Sequence, residues 1–108
     1  MKHPILSTAD LGLAIRAVRK NARVRQDDLA GAVGVSRRFT AEVERGKPTV
    51  QFGRVLRLLE ELGIALSIDI PDDASRVLAD LKSQPPRSPV KKTAGAPAGV
   101  EGAKASDA

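Results

Sequence analysis

The sequence predicts a mainly α fold of four to five short helices, followed by one β-strand and a disordered tail. Apolar residues recur at helical spacing through the first half of the chain. The stretch ALSIDI at 65–70 instead alternates apolar and polar side chains, as a half-buried strand does. From Gln84 onward Pro, Ala, Gly, Ser and Lys dominate, a composition that buries too little apolar surface to fold.

Length and composition narrow the function classes. A chain of 108 residues has room for one domain, which excludes a large enzyme core. Aromatic residues make up only 2%, so the core must be aliphatic, and the absence of cysteine excludes disulfides and thiolate metal sites. No apolar run approaches the roughly 20 residues of a membrane span, and the N-terminus lacks signal-peptide features. We therefore expect a soluble, cytoplasmic protein that associates with the nucleoid and not with membranes.

The charge distribution favours a polyanionic partner. The formal net charge is +5 and the isoelectric point about 10.1. Of the 18 Lys and Arg residues 12 precede Pro71, against 8 of the 13 acidic residues, so the excess belongs to the folded part. The run that leads into the central motif is especially basic, which suits either DNA-backbone contact or simple solvation. Its members are Arg16, Arg19, Lys20, Arg23 and Arg25.

The central motif is the stretch Gln26–Arg45, in which two short helices meet at a tight turn. The first has a buried stripe, Gly34 supplies a left-handed C-cap, and Ser36 is a good N-cap for the second helix. Thr40 and Val43 face inward, so the second helix presents its other face to solvent. The pattern predicts a helix-turn-helix with arginines at the exposed start of its second helix.

Helices are also predicted on both sides of this motif. Ser7 and Asp10 form a capping-box-like start for the first helix, which ends near Ala22. Thr49 is the predicted cap of the fourth helix, which Gly63 closes. Its predicted apolar stripe consists of Phe52, Val55, Leu56, Leu59 and Leu62.

Residues 8–70 are predicted to form one domain for DNA binding and dimerisation. Residues 71–108 then form a mostly disordered tail, with a possible short helix at 72–83.

The motif and the residues after it resemble a known family. The run GVSRRFTAEVERGKPTVQFGRVLRLLEELG is similar to the HipB-like antitoxins, which are Cro/repressor-type (Xre family) helix-turn-helix proteins. The resemblance covers about Thr8 to Ile70. Two residues depart from it: Arg25 stands where a Ser or Thr cap is usual, and Thr40 where a larger aliphatic residue is usual. The resemblance implies a dimeric repressor that binds its own promoter and neutralises a HipA-like kinase toxin.

The candidate DNA-binding residues follow the exposed face of the motif. Arg37 and Arg38 can each form bidentate hydrogen bonds to guanine, or can only neutralise phosphate. Gln26 can present its amide to a phosphate, and the resemblance supports this. Glu42 can accept from cytosine N4 or pair with a neighbouring Arg. The full predicted set is Gln26, Ser36, Arg37, Arg38, Ala41, Glu42, Arg45 and Lys47.

The candidate dimerisation residues are Leu66, Ile68 and Ile70, on one face of the predicted strand. A single strand leaves its backbone groups unpaired, so it needs a partner. The same strand of a second copy would supply one, giving a homodimer suited to a palindromic operator in double-stranded DNA. The alternative is a short extension that packs on its own helices.

The predicted function is a sequence-specific transcriptional repressor, with the antitoxin of a toxin-antitoxin pair as its most specific form. The alternatives are a stand-alone phage- or plasmid-type repressor and a protein-interaction adaptor that no longer binds DNA. An enzyme is the least favoured class, because no nucleophile with a base, phosphate-binding glycine loop or metal cluster is evident. We expect no cofactor and no metal; His3 is a lone histidine near the terminus.

Overall fold

The structure is a computed structural model that describes residues 1–85. Within this range the chain folds as a series of α-helices. The helices of this part are α1 (Thr8–Asn21), α2 (Gln26–Val33), α3 (Arg37–Glu44), α4 (Phe52–Glu61) and α5 (Asp72–Ser83). One compact unit, Met1–Ser67, contains α1 to α4, and a second begins at Ile68 and contains α5. The mainly α fold class is confirmed, with five helices within residues 1–85.

Helix α1 begins with the predicted capping arrangement. The Ser7 hydroxyl accepts a hydrogen bond from the Asp10 backbone N–H at 3.1 Å, and the Asp10 carboxylate accepts from the Leu6 backbone N–H at 2.9 Å. The first bond satisfies one of the donors that a helix start leaves free, and the second fixes the chain just before the cap.

The turn between α2 and α3 has the predicted form. Gly34 lies at φ +82, the left-handed conformation that favours glycine, and closes α2. The Ser36 hydroxyl then caps α3 by accepting from the Phe39 backbone N–H at 2.9 Å. Thr40 is fully buried and donates its hydroxyl to the Ser36 carbonyl at 3.2 Å. Thr40, which is smaller than the residue usual for the family, therefore fills the corner between α2 and α3, and its hydroxyl is hydrogen-bonded.

The core of the first unit is aliphatic, as the low aromatic content predicts. Its buried members come from all four helices: Ile15, Leu29, Val43, Val55, Leu58 and Leu59. Half-buried Val24, Val33, Val35 and Phe39 pack against this cluster.

The prediction for α4 is partly wrong. The helix begins at Phe52 after Gln51, so Thr49 does not cap it. Phe52 and Leu56 are exposed, and Val55, Leu58 and Leu59 form the buried face. Apolar residues surround much of this helix, so its spacing alone did not decide which side packs against α2.

Helices α1 and α3 approach each other closely at Gly12. A Cβ at this position would overlap the Val43 carbonyl oxygen and lie 2.7 Å from the Glu44 carbonyl oxygen. The Thr8 hydroxyl also donates to the Gly46 carbonyl at 2.7 Å, which ties the start of α1 to the end of α3. Backbone contact between the two helices thus requires glycine at position 12.

The chain beyond α4 meets the prediction only in part. Within residues 1–85 no β-strand forms, and the predicted strand at 65–70 is a non-helical connection in the single chain. A ladder requires a second strand, so pairing across a dimer stays a prediction. Helix α5 occupies the segment predicted to be helical, and Val77 and Leu81 on it are exposed. The tail predicted to be disordered lies, from residue 86 onward, outside the described residues.

Replacing Gly12 with Ala should destabilise the fold. Because the new methyl group meets carbonyl oxygens of the main chain, which cannot rotate away, the free energy of unfolding should fall by about 1–3 kcal/mol. Urea denaturation followed by circular dichroism measures it.

The matched control is Gly31→Ala in α2, where an added Cβ meets nothing within 4 Å. Alanine favours a helix over glycine, so this variant should gain about 0.5–1 kcal/mol. Equal stability of the two variants would contradict the close approach of α1 and α3.

Candidate nucleic-acid interface

Helix α3 presents a charged, exposed surface directly after the turn. Arg37 and Arg38 occupy its first turn and are exposed. Ala41 and Glu42 follow one turn later and are half-buried, and Arg45 is exposed at the C-cap. Lys47 lies just beyond, with its backbone N–H donating to the Glu42 carbonyl at 3.0 Å. The predicted residues of this stretch therefore share one helix and the turn that ends it.

A groove of about 570 Å³ lies beside this helix, between α1, α2 and α3. Six of its lining side chains are Arg or Lys and two are acidic, so the groove suits an anion. The lining consists of Arg16, Arg19, Lys20, Arg25, Gln26, Asp27, Arg37, Ala41, Glu44 and Arg45.

A buried ion pair between Arg19 and Glu44 lines the inner side of this groove. Arg19 of α1 meets Glu44 of α3 through two hydrogen bonds, Nε to Oε2 at 2.6 Å and Nη2 to Oε1 at 3.0 Å. Its Nη1 also donates to the Val24 carbonyl at 2.9 Å. Gln26 of α2 donates Nε2 to Glu44 Oε1 at 3.0 Å. One carboxylate thus joins the first three helices.

The environment of Glu44 keeps it ionised. Burial alone would raise the pKa of Glu44, but hydrogen bonds from Arg19 and Gln26, with the charges of Arg19 and Arg16, lower that pKa overall. The same hydrogen bond raises the pKa of Arg19. Both groups are therefore charged at neutral pH, and each supplies the partner that the other needs when buried.

This pair was not anticipated from the sequence, which placed Arg19 in a basic run suited to DNA-backbone contact or solvation. Both side chains are buried instead. A usable signal was present, because Arg19 follows Ile15 by four residues and Glu44 follows Thr40 by four. Opposite charges on two inward-facing stripes indicate a buried pair.

A second charged cluster lies on the surface of α3. Glu42 Oε2 is 3.3 Å from Lys47 Nζ and 3.4 Å from Arg38 Nε. The hydrogen bond from Lys47, and then the charges of Lys47 and Arg38, lower the pKa of Glu42. Of the two predicted roles for Glu42, pairing with a neighbouring Arg is the one seen in the free chain.

Phe39 lies near the turn, in the first half of α3. It is half-buried against the core, and the Arg54 guanidinium of α4 lies 6.0 Å from its ring centroid. That distance is within reach of a cation–π interaction. The contact joins α4 to the outer side of α3.

The start of α2 departs from the usual cap. Arg25 precedes the helix, and its Nη2 pairs with Asp27 Oδ2 at 3.0 Å across an exposed surface. Gln26 and Asp27 stand in the first turn, where the helix dipole is positive.

The predicted dimerisation residues lie apart from this surface in the sequence. Leu66 and Ile68 are exposed, and Ile70 is half-buried. Among residues 1–85 no cluster of His, Cys, Asp and Glu could hold a metal ion. In the same part of the chain no helix is long and apolar enough to cross a membrane.

Comparison with known sequences identifies the region around this surface. Residues 10–66 match the family model described as a helix-turn-helix domain. The chain is also 45% identical over 73 residues to the HTH-type transcriptional regulator y4mF of Sinorhizobium fredii, covering 68% of this chain and 96% of that protein.

Comparison with solved structures supports the same fold. The chain resembles a protein in the structure of the HipA-HipB-O2-O3 complex and one in the HipB-O4 20mer complex. In both cases the TM-score is 0.60 at 19% identity, over 64% of this chain and 97% of the other. The HipB-like, Cro/repressor-type fold is thereby confirmed.

The buried ion pair should make stability fall in acid. Because the folded state lowers the pKa of Glu44, its contribution is fully present above the unfolded pKa of about 4.3. It is lost as the pH falls through the lower folded value. In Glu44→Gln, which leaves Arg19 buried without a carboxylate, the free energy of unfolding at neutral pH should be lower by about 3–5 kcal/mol. Urea denaturation at a series of pH values should show the two proteins converging in acid.

Glu61→Gln on the exposed surface of α4 is the control, and its profile should follow the parent. A Glu44→Gln profile that runs parallel to the parent down to the lowest pH would rule out a stabilising Arg19–Glu44 pair.

Proposed function

Since this chain belongs to the helix-turn-helix family of DNA-binding transcriptional regulators, we propose that it is a sequence-specific repressor that reads an operator with α3. Its proposed cellular role is the antitoxin of a toxin-antitoxin pair. The observation that carries the DNA-reading proposal is the exposed face of α3, where two arginines follow the Ser36 cap beside a cationic groove.

The position of Arg37 and Arg38 supports base reading. Ser36 fixes the first turn of α3 through its hydrogen bond to the Phe39 N–H, so both arginines project from a rigid element. A guanidinium in the major groove can donate two parallel hydrogen bonds to guanine O6 and N7. In this proposal Glu42, one turn further on, accepts from a base amino group, and Ala41 either packs on a thymine methyl or leaves room for the groove wall.

The groove beside α3 supports contact with the DNA backbone. Gln26 stands at the positive end of the α2 dipole, and its amide is oriented by the bond to Glu44. Arg45 and Lys47 flank the other end of α3. Contacts of this kind position a protein on DNA, while the base contacts select the sequence.

We propose a homodimer formed through Leu66, Ile68 and Ile70. Their alternation and the exposure of Leu66 and Ile68 in the single chain support a strand that pairs with its copy. A two-fold dimer presents two α3 helices to a palindromic operator, with half-sites about one helical turn, or a multiple of it, apart.

The antitoxin role rests on resemblance. The fold is shared with a chain of the HipA-HipB-O2-O3 complex, which contains HipA. The proposed partner of this chain is a HipA-like kinase, held inactive in the complex while the antitoxin represses its own promoter. A stand-alone repressor uses the same DNA surface without a toxin. A protein-interaction adaptor is a weaker alternative, because it gives no role to the exposed arginines of α3.

Replacing both Arg37 and Arg38 with Ala should abolish preference for the operator. Each lost bidentate contact costs about 1–3 kcal/mol of discrimination, so the variant should bind operator and random DNA alike. Footprinting on duplexes that the parent enriches from a random library measures this preference.

The matched control replaces Arg57 and Arg76, two exposed arginines outside α3, with Ala. It removes the same charge and should keep the preference. If the α3 variant still protects the operator selectively, this assignment of the reading residues is wrong.

Changing Ile68 to Asp should produce monomers that bind a half-site weakly. A charge in the centre of an apolar strand pair is desolvated without a partner, which disfavours pairing. Sedimentation velocity measures the molecular mass. Ser67→Asp, on the other face of the predicted strand, should remain dimeric. An unchanged profile for Ile68→Asp would exclude dimerisation through this strand.

Co-expression tests the antitoxin role. The product of the adjoining reading frame should arrest growth when expressed alone, and growth should recover when this chain is co-expressed. The two proteins should then purify together as one species. A neighbour that is harmless alone, or that does not co-purify, would leave the stand-alone repressor as the function.

A further inference from the structure

The surface cluster of Arg38, Glu42 and Lys47 occupies the face of α3 that is proposed to meet DNA. One carboxylate oxygen, Glu42 Oε2, contacts both cations, at 3.4 Å to Arg38 Nε and 3.3 Å to Lys47 Nζ. The side chain of Glu42 is only 19% exposed, whereas that of Arg38 is 86% exposed. The carboxylate is therefore the fixed member, and the arginine is the one free to move.

This arrangement creates a competition when DNA approaches. A phosphate that draws Arg38 or Lys47 away leaves the Glu42 carboxylate facing the negative backbone with one partner fewer. A phosphate that binds either cation in place also meets the negative charge of Glu42. Hydrogen-bonded charges that lose their partners are unfavourable, and like charges add repulsion. A base with an exposed amino group, such as cytosine at N4, reverses this balance because it donates to the carboxylate.

We propose that Glu42 is a specificity-determining residue that withholds Arg38 and Lys47 from non-specific DNA and releases them at the operator. This inference rests on the proposed function, since it requires that α3 meets DNA. On random sequence the carboxylate stays paired and the two cations contribute little. At the operator a base amino group takes over the carboxylate, and both cations become available for phosphate or guanine.

Glu42→Gln tests the proposal, because glutamine keeps the shape but cannot hold two cations. Affinity of the full chain for a random-sequence duplex should rise about tenfold at low salt. The slope of log affinity against log salt, between about 50 and 200 mM, should steepen by about 0.9 for each released cation, or about 1.8 for both. Affinity for duplexes selected by the parent should change less, so the specificity ratio should fall.

Two further variants test whether release of the cations from Glu42 causes these changes. Glu60→Gln on the exposed side of α4 makes the same change in net charge and should leave the random-DNA slope as in the parent. The double variant Glu42→Gln, Lys47→Gln lacks one of the two released cations. Its slope should therefore be shallower than that of Glu42→Gln by about 0.9.

The outcomes separate this inference from the proposed function. If the parent binds its selected duplexes and Glu42→Gln leaves the random-DNA affinity and slope unchanged, the role of Glu42 is overturned and the repressor remains. An equal rise for Glu60→Gln also overturns it, since net charge alone would then be the cause. If the parent binds neither kind of duplex, both proposals fail.

Discussion

The ion pair between Arg19 and Glu44 is the interaction on which the arrangement of the first three helices depends. A buried carboxylate needs several donors, and here α1 supplies a guanidinium and α2 the amide of Gln26. Because the three partners come from three helices, the relative positions of those helices are fixed together. The start of α2 and the exposed face of α3 are therefore held as one rigid surface, which a reader of DNA requires.

Pairing with acidic residues also decides which basic side chains are available to a polyanion. Arg19 is buried and paired with Glu44, although its sequence position suggested a surface contact. Arg38 and Lys47 are at the surface but share the Glu42 carboxylate. The positive charge that a polyanion meets is thus smaller than the count of Lys and Arg implies. It also depends on whether the polyanion offers a hydrogen-bond donor that can replace a cation beside each acidic partner.

The sequence was most informative where a local rule decides the structure. Gly34 and Ser36 located the turn because a left-handed residue and a capping hydroxyl have few other uses at that spacing. It was less informative where tertiary packing decides. The buried side of α4 was misassigned at Phe52, since apolar residues lie on several faces, and the requirement for Gly12 arises from a contact with α3 over thirty residues away. The alternation at 65–70 predicts a strand, but a strand needs a partner, and none forms within residues 1–85.

The start of α2 and the exposed face of α3 together form the proposed DNA-binding surface. The most direct measurement is a titration of the isotope-labelled chain with its selected duplex, followed residue by residue through backbone amide NMR signals. The largest changes should occur at Gln26, through the first turn of α3 and at Lys47, with Glu60 and Glu61 of α4 little affected. Changes confined to α4, or none at all with the duplex in excess, would show that DNA does not bind this surface.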